Sequence, residues 1–219
     1  MKLKLFLYFF ICNLLILSSC NKDVIRGAGN SSTRVINVPT FYAIESHYDI
    51  AANISYSSIQ EVKVSGYDNL LNILDIKVEN GILKLKYNTA YNSIRNGNIV
   101  AEIKIPSIHK ATIHGSKNIS INSFTNGINF EAFIHGSGNI YVSNSKFQTT
   151  KLTIHGSGKI KAKGLEASQA EANIYGSGDI DISVSNHLKA SIYGSGSIYY
   201  WGNPFVETIR NGSGKVIKL

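Results

Sequence analysis

Ile134-His-Gly-Ser-Gly-Asn-Ile140, Ile154-His-Gly-Ser-Gly-Lys-Ile160, Ile174-Tyr-Gly-Ser-Gly-Asp-Ile180 and Ile192-Tyr-Gly-Ser-Gly-Ser-Ile198 are one phrase written four times. Ile113-His-Gly-Ser-Lys-Asn-Ile119 precedes them, and a degraded copy, Arg210-Asn-Gly-Ser-Gly-Lys-Val216, follows. The first glycines stand at 115, 136, 156, 176, 194 and 212, so the steps are 21, 20, 20, 18 and 18 residues. A fixed period near 20 marks a solenoid, in which each unit buries its apolar face only by stacking on the next. The chain is therefore expected to be all-β: a parallel β-helix of ~20-residue coils over 111–219.

Aligning the copies on the first glycine separates core from surface. Two residues before it stand Ile113, Ile134, Ile154, Ile174 and Ile192; four after it stand Ile119, Ile140, Ile160, Ile180, Ile198 and Val216. Ala111, Ala132, Leu152, Ala172 and Ala190 lie two residues further out on one side, and Ile121, Val142, Ala162 and Ile182 on the other. Residues two apart on a strand share a face, so these columns form the core. Each coil then reads as strand, Gly-Ser-Gly turn, strand, and a looser third side carrying Phe130, Phe147, Leu165, Leu188 and Phe205. The glycines of the turn (Gly115, Gly136, Gly138, Gly156, Gly158, Gly176, Gly178, Gly194, Gly196, Gly212 and Gly214) are structural, since glycine reaches backbone angles that other residues avoid. Arg210 and Lys218 replace apolar residues where a last coil meets solvent.

Upstream, from Val35 to about Lys110, the signals are also β. Ile59-Gln-Glu-Val-Lys-Val-Ser65 and Ile99-Val-Ala-Glu-Ile-Lys-Ile105 alternate, the latter up to Pro106. Asp75–Glu79 and Ile82–Tyr87 flank Asn80-Gly81, a tight hairpin turn. No stretch has helical periodicity. This β-rich N-terminal part is expected to supply first turns of the solenoid or a cap on its end.

The extreme N-terminus reads as an address. Lys2 and Lys4 precede an apolar run from Leu5 to Leu17, which meets Leu17-Ser-Ser-Cys20. So short a run ending in small residues is a secretory signal and not a membrane span. The cysteine directly after it makes residues 1–19 a lipoprotein signal and Cys20 the lipidated residue. Cys12 is removed with the signal, so the mature chain has no thiol for a disulfide or a metal. Residues 20–34, with Gly27-Ala-Gly-Asn-Ser-Ser-Thr33, read as a flexible linker, and 35–219 as one solenoid domain. The net charge of +8 falls to +6 without Lys2 and Lys4, as 20 basic against 14 acidic residues. No basic run exceeds two residues, and nothing resembles a nucleic-acid motif.

The Gly-Ser-Gly-x-Ile repeats, with Gly66-Tyr-Asp-Asn-Leu-Leu71 and Val78-Glu-Asn-Gly-Ile-Leu-Lys84 upstream, resemble the auto-transporter adhesin head domains of Bacteroidetes lipoproteins. The resemblance spans Val35 to Leu219 and implies a β-helix-like exported or surface protein with no catalytic residues to carry over. Lys117, in place of the second glycine, is the one departure in the first repeat.

One column remains free to recognise something. His114, His135, His155, Tyr175 and Tyr193, with Asn211 after them, precede the first glycines and point outward. The histidines are expected ~5 and ~10 Å apart. No metal is expected there, because adjacent rungs hold the rings parallel and no clustered carboxylate completes a tetrahedron. A stack of polar rings is the first reading, and an aromatic face for sugars the second. Gly176-Ser-Gly-Asp-Ile-Asp-Ile182 has the wrong period for calcium repeats, and His-Gly-Ser-Gly is not a nucleophile elbow. The acidic residues Glu131, Glu166, Glu171, Asp179, Asp181 and Glu207 are scattered. The sequence thus predicts an outer-membrane lipoprotein, facing outward or into the periplasm, with a non-catalytic binding or adhesion role. Its expected partners are the membrane through its lipid, glycans or another envelope component, and possible further copies of itself; no cofactor is expected. The rival readings are a self-assembling envelope scaffold and a glycan-processing β-helix enzyme.

Overall fold

The computed structural model describes residues 24–88 and 93–219; the signal segment and Cys20 lie outside them. The N-terminal part contains β1 (Val24–Arg26), β2 (Ser31–Val35), β3 (Ala43–Tyr48), β4 (Ala51–Tyr56), β5 (Glu61–Tyr67), the single helical turn α1 (Asp68–Leu71), β6 (Leu74–Glu79), β7 (Ile82–Tyr87), β8 (Ser93–Arg95) and β9 (Val100–Ile105). The repeats supply β10 (Lys110–Gly115), β11 (Ile119–Asn122), β12 (Gly127–Gly136), β13 (Asn139–Ser143), β14 (Ser145–Gly156), β15 (Lys159–Gly176), β16 (Ile180–Gly194), β17 (Ile198–Trp201), β18 (Phe205–Asn211) and β19 (Val216–Lys218). The chain is a parallel β-solenoid, as the period requires.

Two parallel ladders run along it. One stacks β7, β3, β10, β12, β14, β15, β16 and β18. The other stacks β9, β4, β11, β13, β15, β16, β17 and β19. The register places glycine on glycine and isoleucine on isoleucine: Ile134 pairs with Ile154, His135 with His155 and Gly136 with Gly156. Ile134, Ile154, Ile174 and Ile192 are fully buried, as are Ile119, Ile140, Ile160, Ile180 and Ile198. Each isoleucine lies on its copy one rung away, which fills the interior at native density with a single rotamer-restricted side chain.

The turn glycines are fixed by neighbours more than by torsion alone. Gly136, Gly156, Gly176, Gly194 and Gly212 have φ between 135° and 148°. The second glycines have no such angle, yet a β-carbon on Gly158 would collide with the carbonyl of Gly138. The carbonyls of Gly115, Gly136, Gly156 and Gly176 each accept two N–H groups from the next rung; that of Gly136 binds Ser157 N at 3.0 Å and Gly158 N at 3.3 Å. The serine contributes its backbone here and leaves its side chain exposed.

The N-terminal part supplies both the first turns and the cap. β5 lies antiparallel on β9, β2 on β5 and β6 on β7, so antiparallel strands close this end. The Asn80-Gly81 turn has φ values of 53° and 74°, as a two-residue hairpin needs. The rung built by β3 and β4 comes before β7 in the chain but sits between β7 and β10 in space.

Three expectations need correction. Residues expected as a flexible linker hold two strands: β1 pairs in parallel with β8, and β2 antiparallel with β5. Gly27 between them is buried, close under the Asn96 carbonyl and Tyr67, so this glycine serves packing and not slack. The helical turn α1 was not expected; Leu70 and Leu71 bury into the core there, too brief a segment to show periodicity. The third side is not one apolar column. Phe130 aligns with Thr150, Ala170, Leu188 and Val206, whereas Phe205 aligns with His187 and is 69% exposed.

The change of period from 20 to 18 has a local cause. Lys163, Gly164 and Leu165 of β15 leave the ladder between Ala162 and Glu166, while β16 runs on without a gap from Ile182 to Ser183. Between Ala167 and Gln169 lies one residue, and between Val184 and His187 lie two. Three extra residues less one gives the difference of two.

Candidate functional site

The outward residues of the first ladder form three columns. Nearest the glycines stand His114, His135, His155, Tyr175 and Tyr193, and the structure adds His47 of β3 before them. The six rings stack continuously, with centroids 4.6–5.1 Å apart. Interplanar angles are 2–4° along most of the column and 15° between His47 and His114. Ring faces are therefore spent on one another, and ring edges, with imidazole nitrogens and tyrosine hydroxyls, meet solvent. An aromatic face for sugars does not exist here except at the two ends of the stack. Partial burial, and after it the neighbouring imidazole, lowers the pKa of His114 and His135.

The next column, one face-position away, holds Glu45, Thr112, Phe133, Thr153, Asn173 and Ser191. Glu45 is the only carboxylate in it. Its Oε1 lies 2.6 Å from Nε2 of His47 and 3.7 Å from Nε2 of His114. A carboxylate does therefore cluster with the histidines, contrary to the sequence expectation. The reason is the out-of-order rung: Glu45 and His47 are remote from the repeats in the chain and adjacent in the sheet. A signal was present, because His47 precedes Ala52 by the five residues that separate His114 from Ile119. Tyr48 stands in the glycine column there, at φ 59°, which hid the copy.

The third column alternates in sign: Lys110, Glu131, Lys151, Glu171, Lys189, Glu207. Lys110 pairs with Glu131 at 3.7 Å and Lys151 with Glu171 at 3.3 Å. Three carboxylates that looked scattered thus belong to one neutralised ladder. The hydrogen bond from Asn173 first, and Lys151 after it, lowers the pKa of Glu171. Asp179 is likewise committed: it pairs with Lys159 at 2.8 Å and accepts the N–H of Ser197 at 3.1 Å.

A second feature, invisible in the sequence, is a groove where the coils enter their third side. Gly127, Phe147, Ala167, Val184 and Trp201 line a space of about 800 Å³. It adjoins a depression of about 670 Å³ that reaches Tyr42, Tyr56 and Phe124. Lys163 lies over the Trp201 ring at 4.8 Å.

The family model described as "Putative auto-transporter adhesin, head GIN domain" matches residues 40–204. The chain belongs to this family. Among solved structures, a "putative adhesin" from Bacteroides fragilis is 20% identical, with a TM-score of 0.70 over 89% of this chain and 100% of its own. A "putative lipid binding protein" from Parabacteroides distasonis is 23% identical, with a TM-score of 0.63 over 90% of this chain and 100% of its own. A "putative adhesin" from Parabacteroides merdae is 20% identical, with a TM-score of 0.51 over 90% and 99%. At these identities the likeness establishes the shared fold. No curated protein sequence matches the chain. The adhesin-head family is named for surface attachment, and among the described residues no helix is long and apolar enough to cross a membrane.

Proposed function

We propose that this adhesin-head domain is a non-catalytic binding module of the cell envelope, anchored by lipid on Cys20, that engages an extended, repetitive ligand such as a glycan chain. The observation that carries this reading is the six-ring column. It presents the same kind of hydrogen-bonding edge at every rung, about 5 Å apart, beside columns of small polar and paired charged residues. A surface with one-dimensional periodicity suits a polymer better than a small molecule, since each added rung adds a similar contact. Recognition would run through ring edges, which replace the face stacking expected from the sequence. The neutralised Lys/Glu ladder supports binding over catalysis.

Polysaccharide and glycan arrays test the reading, with His135→Ala/Tyr175→Ala as the variant and circular dichroism as the fold control. Binding by the parent that the variant loses supports it. Binding that survives the variant but vanishes in Trp201→Ala would move the site to the groove. Protease shaving of intact cells, with Cys20→Ser as control, tests the anchoring: the parent should stay with the membrane fraction and the variant should not.

A further inference from the structure

The ring column starts against Glu45, and that junction has the makings of a metal site. Glu45 and His47 share one face of β3, and His114 occupies the next rung on β10. One ligand atom from each of the three lies within 4.8 Å of the others. We propose that Glu45, His47 and His114 bind a divalent transition metal, zinc by preference, at the N-terminal end of the stack.

Donor chemistry comes first. Two imidazole nitrogens and one carboxylate oxygen suit zinc or copper and are poor ligands for magnesium or calcium. Zinc–nitrogen bonds of about 2.0–2.1 Å require donors a little over 3 Å apart. The two distances to the Glu45 oxygen, 2.6 and 3.7 Å, bracket that value, and rotation of the side-chain ends would close the two imidazoles on a shared ion. The parallel rings that argue against a metal elsewhere are less restrictive here. His47 and His114 are tilted by 15°, against 4° for each pair from His114 to His155.

Position supports the assignment. All three ligands stand on sheet strands, with side chains 23%, 27% and 37% exposed for Glu45, His47 and His114, so they are held but reachable. Lys84, beside Glu45 in the register, is occupied by Glu79 at 2.7 Å. A depression of about 290 Å³ opens onto Glu45 and His114. Among the described residues no later rung of the ladder repeats the set, because Thr112, Phe133, Thr153, Asn173, Ser191 and Ile209 stand where Glu45 does. Three protein ligands leave one coordination position for water or for a donor from a bound partner.

The site goes beyond the adhesion reading and does not depend on it. Calorimetric titration of the purified protein with Zn²⁺ should give one saturable site per chain. Glu45→Gln, His47→Asn and His114→Asn should each weaken it by at least about tenfold. Asparagine already occupies this column at Asn211, so these variants keep the rung. His155→Asn should leave the affinity unchanged. Co²⁺ in place of zinc should give the strong visible absorption of a four-coordinate centre, lost in Glu45→Gln. Absence of a saturable site, or equal weakening by His155→Asn and His114→Asn, would overturn the proposal.

Discussion

Gly156 lies so close on Gly136 that the carbonyl of Gly136 occupies the space a β-carbon at 156 would need. That carbonyl also accepts two N–H groups from the turn above it. A methyl group must therefore both force φ 135° on an alanine and break a two-bond junction between rungs. Gly156→Ala is expected to lower unfolding free energy by about 2–3 kcal/mol in urea titration. Gly29→Ala is the comparison, with φ 87° but open space around it, and should cost about 1 kcal/mol. Equal losses would show that torsion alone decides.

Thr150 is completely buried between Phe130 and Ala170 in the register, and its hydroxyl has no partner among the described residues. An unpaired buried hydroxyl costs free energy that a methyl group of the same shape does not. Thr150→Val should stabilise the domain by about 1 kcal/mol, read from the shift in denaturation midpoint at unchanged slope. A loss of stability would mean that the hydroxyl is satisfied by water.

Lys151 stands between Glu131 and Glu171 in the alternating ladder. Lys151→Glu puts three carboxylates on consecutive rungs. These side chains are two-fifths exposed, so the penalty is modest, about 1 kcal/mol at low salt. It should shrink when ionic strength rises to 1 M, where the Debye length is about 3 Å. A penalty indifferent to salt would point to packing.

Glu79, at the end of β6, accepts from Lys77 and Lys84, each at 2.7 Å. These hydrogen bonds hold its pKa at about 2, below the 4.5 of a free glutamate. Because the folded state favours the carboxylate, its contribution is complete above pH 4.5 and fades as the pH falls toward 2. Glu79→Gln should flatten the stability profile across that window and leave its shape above it unchanged. An NMR titration of the Glu79 carboxyl with a midpoint near 4.5 would contradict the assignment.

The coils were legible because their signal is positional: identical residues recur at identical offsets, and stacking in register is how such a pattern buries itself. The ring column followed from the same offsets. What the sequence did not disclose involves partners from outside the repeat. Glu45 and His47 join the column only because β3 is inserted beside β10, and Tyr48 in place of glycine masks the kinship. Strands β1 and β2 were read as linker because Gly27 and Gly29 look like slack; the contacts that order them come from Asn96, Tyr67 and β5, distant in the chain. The groove around Trp201 arises from the stacking of corners and has no local pattern.

The insertion of the β3–β4 rung between β7–β9 and β10–β11 also governs how the molecule can be assembled. From β10 onward each coil needs only the one made before it, so those coils can zip up in the order of synthesis. The earlier rung cannot be completed that way. Its two neighbours are made later than it is, and one of them arrives only after the chain has travelled through β5 and β6 and come back. The N-terminal part must therefore close as a cooperative block, at the entropic cost of a long loop, before the first repeat has a template. Shortening the chain from its C-terminal side should peel off coils singly, whereas damage at β3 removes the seed on which all of them grow.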